Sequence, residues 1–278
     1  MTWLQLYLDF IVFAFGAVIG SFLNVCVHRM PLDESIVSPP SHCPHCNQRI
    51  RWIDNIPLVS YLALRGRCRD CGAGISSRYF LVELLTAVLF LLIWLKLTQW
   101  DNPPVRGMFF LKGPIYWLVI AGLIVATFID FEHYIIPNEI TFGGILVGLL
   151  LSAVYPPLLD ADTIKLSLVR SALGVVVGGL TLLVVAMVGE KVFRKEAMGM
   201  GDVKLLAAIG AFFGWQSTLF TLFVSSCLGG VVGLVLVMGR KRGWQSRIPY
   251  GPYLAFGALL WMFCGREIVN WYLSFIQG

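Results

Sequence analysis

Long apolar runs separated by short polar breaks make up most of this chain. They fall near 4–27, 79–97, 114–129, 139–156, 170–189, 203–214, 217–238 and 250–264. Most approach the roughly 20 apolar residues that cross a bilayer, and none alternates as a half-buried strand would. The pattern predicts an all-α polytopic membrane protein with about eight transmembrane helices. The break between the sixth and seventh runs is slight, only Gly214-Trp215-Gln216, so seven is the alternative count. The one long polar interval, residues 28–78, lies between the first and second runs. The chain therefore reads as a first anchor at 1–27, a polar insertion at 28–78 and a helical bundle at 79–278. No internal repeat or low-complexity tract stands out. A stretch at 101–113 with Pro103-Pro104 and Gly107 reads as a connector.

Composition sharpens this picture. Of 278 residues, 58% are apolar and 13% charged, against about 25% charged in ordinary soluble domains; mean hydropathy is +0.78. Membrane lipid is thus an expected partner. The first run carries Asp9 and lacks both a basic lead and a small-residue cleavage site, so it reads as a retained helix rather than a removed signal. The net charge of +5 calls for no nucleic-acid partner, because basic residues in a membrane protein report orientation.

Seven basic residues lie in 28–78, four in 190–204 and four in 239–249, out of 21 in the chain. With eight spans these three loops share one side, which the positive-inside rule makes cytoplasmic. Asp130 then leaves the third span on that side, and Asp202 begins the sixth from it.

Those two aspartates are the sharpest chemical feature. Each sits where an apolar run meets a polar break, and a carboxylate at the edge of hydrocarbon is costly to keep. Two of them on one membrane face suggest an acid–base pair: one activates water while its partner, holding a shared proton, protonates the leaving group. Gly199 and Gly201 leave room for backbone to approach Asp202. Pro137 limits helix continuation after Asp130. The bland alternative makes each aspartate an interfacial cap or a partner of Lys204 or His133. Glu132 and His133 read as solvated loop groups.

The second feature is Cys43-Pro44-His45-Cys46 with Cys68-Arg69-Asp70-Cys71. Two Cys-x-x-Cys pairs can wrap four thiolates around Zn²⁺, and a cytoplasmic site favours metal over disulfide. Four protein ligands leave no open position, so the zinc at Cys43, Cys46, Cys68 and Cys71 would be structural. It would supply folding energy that a small insertion poor in large apolar side chains lacks. A pair of redox dithiols is the alternative. Cys26, Cys227 and Cys264 read as inert thiols in apolar surroundings, Asn24 and Arg29 as polar residues at the membrane edge with Arg29 snorkelling. Ile248-Pro249-Tyr250-Gly251-Pro252 reads as a shaped start to the last span.

Other segments join these in one order. They are Gly20-Ser21-Phe22-Leu23-Asn24-Val25, His28-Arg29-Met30-Pro31, the Cys43 and Cys68 segments, Arg51-Trp52-Ile53-Asp54-Asn55-Ile56-Pro57 and Ile75-Ser76-Ser77-Arg78-Tyr79. The Asp130 segment through Ile136-Pro137-Asn138, Gly199-Met200-Gly201-Asp202 and the Pro249 segment follow. Together they resemble the type IV prepilin peptidase family, bifunctional leader peptidases/N-methyltransferases with a Gly-x-Gly-Asp intramembrane aspartyl protease site. The resemblance implies a bacterial inner-membrane enzyme that removes the basic leader of type IV prepilins and type II secretion pseudopilins at the cytoplasmic face. It implies N-methylation of the new N-terminus with S-adenosyl-L-methionine. It assigns catalysis to Asp130 and Asp202 and the metal to the four cysteines. No Gly-rich nucleotide turn marks the methyl-donor site; the insertion, with Asn24 or Arg29, is the expected place. A peptidase without methyl transfer, a proton-coupled transporter and a zinc-bearing scaffold are the competing readings.

Overall fold

The computed structural model of the chain describes residues 3–100, 109–193, 198–239 and 248–277. The connector prolines Pro103 and Pro104, Gly107, and the loop cations Arg106, Arg194, Lys195, Arg240, Lys241, Arg242 and Arg247 lie outside the described residues. Apart from two isolated β-bridges, the regular structure among the described residues is helical: α1 (Trp3–Arg29), α2 (Val59–Ala63), α3 (Ser77–Leu95), α4 (Phe109–His133), α5 (Asn138–Val154), α6 (Ile164–Phe193), α7 (Met200–Met238), α8 (Gly251–Leu260) and α9 (Arg266–Gln277). Five of them, α1, α3, α4, α6 and α7, are long and apolar enough to cross a membrane; α5 is apolar but shorter. This is an all-helical, multi-pass membrane protein.

The chain forms two compact units, Met1–Val125 and Ala126–Gly278. In the first, α1 packs on α3. Inside lipid, helices gain little from apolar burial, so close approach of small residues drives pairing. A Cβ on Gly16 would stand 2.7 Å from the Ala87 Cα, and one on Gly20 2.7 Å from the Glu83 Cα. Polar bonds secure the same pair: Trp94 donates to Asp9 (2.7 Å), and Asn24 donates to the Tyr79 carbonyl (3.0 Å).

Between these helices lies the insertion. Arg29 does not snorkel; it is buried and donates to the carbonyls of Ser35 (2.8 Å) and Pro39 (2.7 Å), folding the first loop back on α1. Leu58 has φ +62°, rare for a branched side chain. Its N–H is held at 2.7 Å by the buried carboxylate of Glu83.

In the second unit α7 is the central element, packed on α5, α6 and α8. A straight 39-residue helix would run about 58 Å, nearly twice the hydrocarbon thickness. It breaks instead at Gly214, where φ is +80° and ψ 178°. The weak Gly214-Trp215-Gln216 break is thus a sharp change of direction that glycine permits. Upstream of it, the backbones of Gly174 and Gly210 meet so closely that neither site has room for a Cβ. Leu146, Leu150, Leu180 and Phe223 point outward, as lipid-facing side chains do. After α8 comes α9, which the apolar-run reading missed. Its 12 residues continue the helix from α8 through a π turn at Trp261–Gly265, with Trp271, Tyr272, Phe275 and Ile276 exposed.

Candidate active site and metal centre

Three helix termini of the second unit converge on the aspartates. Asp130 occupies the last turn of α4, which stops at His133. Tyr134 follows at φ +57°, donating its N–H to the Asp130 carbonyl at 3.0 Å. Residues 135–137 have no regular structure and Pro137 is the N-cap of α5, so the chain breaks here as expected. Asp202 lies in the first turn of α7, its N–H donating to the Gly199 carbonyl at 3.2 Å. There the exposed N–H groups of a helix start favour a carboxylate. The third terminus is that of α8. Gly251 is its first residue and Pro252 its second. The Gly251 N–H, orphaned by its place in the helix, donates to Asp130 Oδ2 at 2.9 Å.

Packing around this junction is close. A Cβ on Gly251 would stand 2.8 Å from Asp130 Oδ2 and 3.2 Å from Ile136; one on Gly201 would stand 3.1 Å from the Ile136 Cβ. Ile136 therefore wedges between the starts of α7 and α8, and glycine at both places admits it. Asp130 and Asp202 are only 5% and 8% exposed, and they lie within electrostatic reach of each other. Asp202 Oδ1 is buried with no hydrogen-bond partner among the described residues. A buried carboxylate oxygen left bare is costly and is the atom to which a water or a substrate N–H can bind.

Of the bland alternatives, the cap is present, since Asp130 accepts the Gly251 N–H at the start of α8, whereas the partnership with Lys204 is not seen. Lys204 donates to Asn138 Oδ1 at 2.9 Å and lies 4.8 Å from the Phe142 ring centre, bonding neither aspartate. Glu132 and His133 are exposed. Tyr250 hydrogen-bonds Ser225 (2.7 Å) and Ser226 (3.3 Å) on α7, fixing the start of α8 beside the site.

In the first unit the four cysteine sulfurs lie within 4.8 Å of one another. Cys43 Sγ and Cys71 Sγ are 3.8 Å apart, close to the edge of about 3.8 Å for a tetrahedron with Zn–S of about 2.3 Å. The scaffold is an internal repeat hidden from the sequence. Cys43 N–H donates to the Gln48 carbonyl (3.0 Å) and Cys68 N–H to that of Ala73 (2.8 Å). Asn47 N–H donates to the Cys43 carbonyl (2.8 Å) and Gly72 N–H to that of Cys68 (2.9 Å). Bridges His42–Arg49 and Arg67–Gly74 close the two hairpins. Asn47 and Gly72 have φ +55° and +72° at equivalent places, conformations that Asn and Gly tolerate best.

Backbone N–H groups also point at sulfur. Those of Cys46 and His45 push the Cys43 thiol down to about 6. The Gln48 N–H acts likewise on Cys46, but burial and the adjoining sulfurs outweigh it and push that thiol up to about 12. Metal binding would deprotonate all four sulfurs, and the donor set fits a closed Zn²⁺ site. The second hairpin is tied to the preceding 3-10 turn and its N-cap by Arg69–Asp54 (2.6 Å) and Arg51–Asp70 (3.2 Å). Of the remaining cysteines, Cys26 is buried as expected and Cys264 partly so, whereas Cys227 is exposed on α7.

Sequence comparison bears on both units. A family model described as bacterial peptidase A24 N-terminal domain matches residues 14–97, and one described as type IV leader peptidase family matches 117–234. The prepilin leader peptidase/N-methyltransferase of Aeromonas salmonicida (strain A449) is 37% identical over 307 residues, covering 99% of this chain and 96% of that relative. The chain belongs to the type IV leader peptidase family. The prepilin leader peptidase/N-methyltransferase of Pseudomonas aeruginosa is 35% identical, covering 94% of this chain and 91% of its own. The type 4 prepilin-like proteins leader peptide-processing enzyme of Escherichia coli O78:H11 is 39% identical, with 88% and 89% covered. No solved structure matches.

One contributor to the junction escaped sequence reasoning. Gly251 acts through its backbone N–H, 121 residues from Asp130. Its only written signal is the Gly-Pro pair, which marks a helix start with a free donor.

Proposed function

We propose that this family member cleaves the leader of type IV prepilins or type II secretion pseudopilins with Asp130 and Asp202, and N-methylates the new N-terminus. The observation that carries the cleavage reading is the junction of α4, α7 and α8: two buried carboxylates, one oxygen bare, at helix ends rather than mid-helix. In such a site one carboxylate accepts a proton as water attacks the scissile carbonyl. Its partner gives a proton to the departing amide nitrogen as the C–N bond breaks. The products are a leader carboxylate and a free amine, with no acyl-enzyme. Gly251 N–H holds Asp130 in place through the cycle.

Substrate chemistry agrees with this position. A polar, basic leader ahead of an apolar helix puts its scissile bond at the membrane interface, where helix ends lie. The skew of basic residues toward 28–78, 190–204 and 239–249 supports a cytoplasmic site in a bacterial inner membrane. Cys43, Cys46, Cys68 and Cys71 would hold Zn²⁺, which supplies cross-linking of the insertion rather than Lewis acidity. S-Adenosyl-L-methionine supplies the methyl group when bound.

Intact-mass measurement of a prepilin incubated with the protein and S-adenosylmethionine tests both halves. Leader loss and one added methyl group are expected as separate mass changes. An unprocessed prepilin alongside proton-coupled flux in vesicles would instead favour a transporter.

A further inference from the structure

The insertion contains a cavity of about 510 Å³ that neither the cysteine cluster nor the aspartates explain. Its walls are Pro40, Ser41, Arg49, Arg51, Trp52 and Asn55. The volume falls in the range of about 300–1,000 Å³ typical of small-molecule sites.

Folding alone does not account for the side chains that meet there. Trp52 is 79% exposed, leaving a large flat ring without a cover. Arg49 is exposed and has no ion-pair partner among the described residues. Asn55 is the last residue of the 3-10 turn that begins at Trp52, and its amide has no hydrogen-bond partner among the described residues. Arg51 uses one nitrogen on Asp70 at 3.2 Å, keeping its other donors. An aromatic platform, a free guanidinium and a free amide thus face one cavity.

We propose that this cavity is the S-adenosylmethionine site. The assignment rests on the methyl-transfer reading above. Three features of the ligand find partners here. Its adenine stacks on the Trp52 face, because any flat base binds an aromatic ring. Its carboxylate pairs with Arg49, whose fork suits a carboxylate bidentately. The Asn55 amide, donor and acceptor at once, meets the polar edge of adenine or the ribose hydroxyls. The cavity floor is the first cysteine hairpin, where the Ile50 N–H donates to the Ser41 carbonyl at 3.0 Å. Arg51 in turn is held by Asp70 of the second hairpin. A metal held by the four cysteines would brace both hairpins and so the shape of this cavity.

The test is equilibrium binding of radiolabelled S-adenosylmethionine to the full-length, zinc-loaded protein in nanodiscs. Leader cleavage is measured on the same samples as the control for folding. Trp52→Ala should raise Kd about 5- to 150-fold, and Arg49→Gln about tenfold, with cleavage unchanged. Trp52→Phe should recover most of the affinity, and S-adenosylhomocysteine should compete. Parent-like affinity in both variants would overturn the proposal while leaving methyl transfer standing. Displacement by anionic phospholipid but not by S-adenosylhomocysteine would also overturn it, assigning the cavity to a lipid headgroup. A parent that binds no S-adenosylmethionine and adds no methyl group would remove both this site and the methyl-transfer reading beneath it.

Discussion

The aspartate junction and the cysteine insertion are both polar clusters in an apolar chain, yet they are built in opposite ways. The insertion is local: two hairpins with the same main-chain bonds bring four sulfurs within 4.8 Å. The junction is remote: Asp130 and the N–H that holds it are 121 residues apart, and only the packing of α4, α7 and α8 unites them. In the insertion every sulfur has the others as neighbours, and a cation would complete the set. In the junction one carboxylate oxygen remains bare. A cluster that a metal would complete is suited to structure; a cluster left incomplete inside a rigid bundle is suited to chemistry. Damage to one should therefore spare the task of the other.

The largest expected effect follows at Asp130. Asp130→Asn keeps shape but removes a proton carrier, and cleavage should fall by about 10²–10⁴-fold, with methylation of an already trimmed pilin retained. Assaying the two substrates separately checks this, and parallel loss of both activities would break the proposed division.

Next in size is the metal. Cys43→Ser, or chelation of the parent, should take zinc from one ion per chain to none and unfold the insertion. Methyl transfer should be lost and leader cleavage kept. Metal analysis with both activity assays decides it; loss of cleavage on chelation would mean that the bundle depends on the insertion.

A smaller effect is expected at Gly251. A methyl group there would sit 2.8 Å from Asp130 Oδ2, so Gly251→Ala should displace the carboxylate and lower kcat by about 10–100-fold. The thermal midpoint should move little. An unchanged kcat would show that the α8 terminus does not position Asp130. Smallest of all is Lys204→Met, which removes a partly exposed bond to Asn138 and should change stability by no more than about 0.5 kcal/mol, with cleavage unaltered.

How much of this was written in the sequence depends on what carried each feature. Asp130 and Asp202 were legible because charge at the end of an apolar run is conspicuous, and loop cations set them on one face. The cysteines were legible from spacing alone. The repeat that positions them was not: Cys-Pro-His-Cys-Asn-Gln and Cys-Arg-Asp-Cys-Gly-Ala share only cysteine, since main-chain bonds do the matching. Gly251 was hidden for the same reason, and Arg29 was misread because its partners are carbonyls of the following loop. The break at Gly214 was visible as a faint polar interruption, but its sharpness is a backbone property. Helix α9 was missed because alternating polar residues on one face interrupt the apolar runs that marked the others. Residues acting by side-chain charge could be read; residues acting by backbone shape could not.

The central claim is that Asp202, with its bare oxygen, belongs to the hydrolytic centre. The most direct measurement is the rate of leader removal by Asp202→Asn reconstituted beside the parent in the same lipid, with zinc content and folding confirmed for both. The account predicts a zinc-loaded, folded protein that leaves the prepilin intact. Cleavage at the parent rate would contradict it.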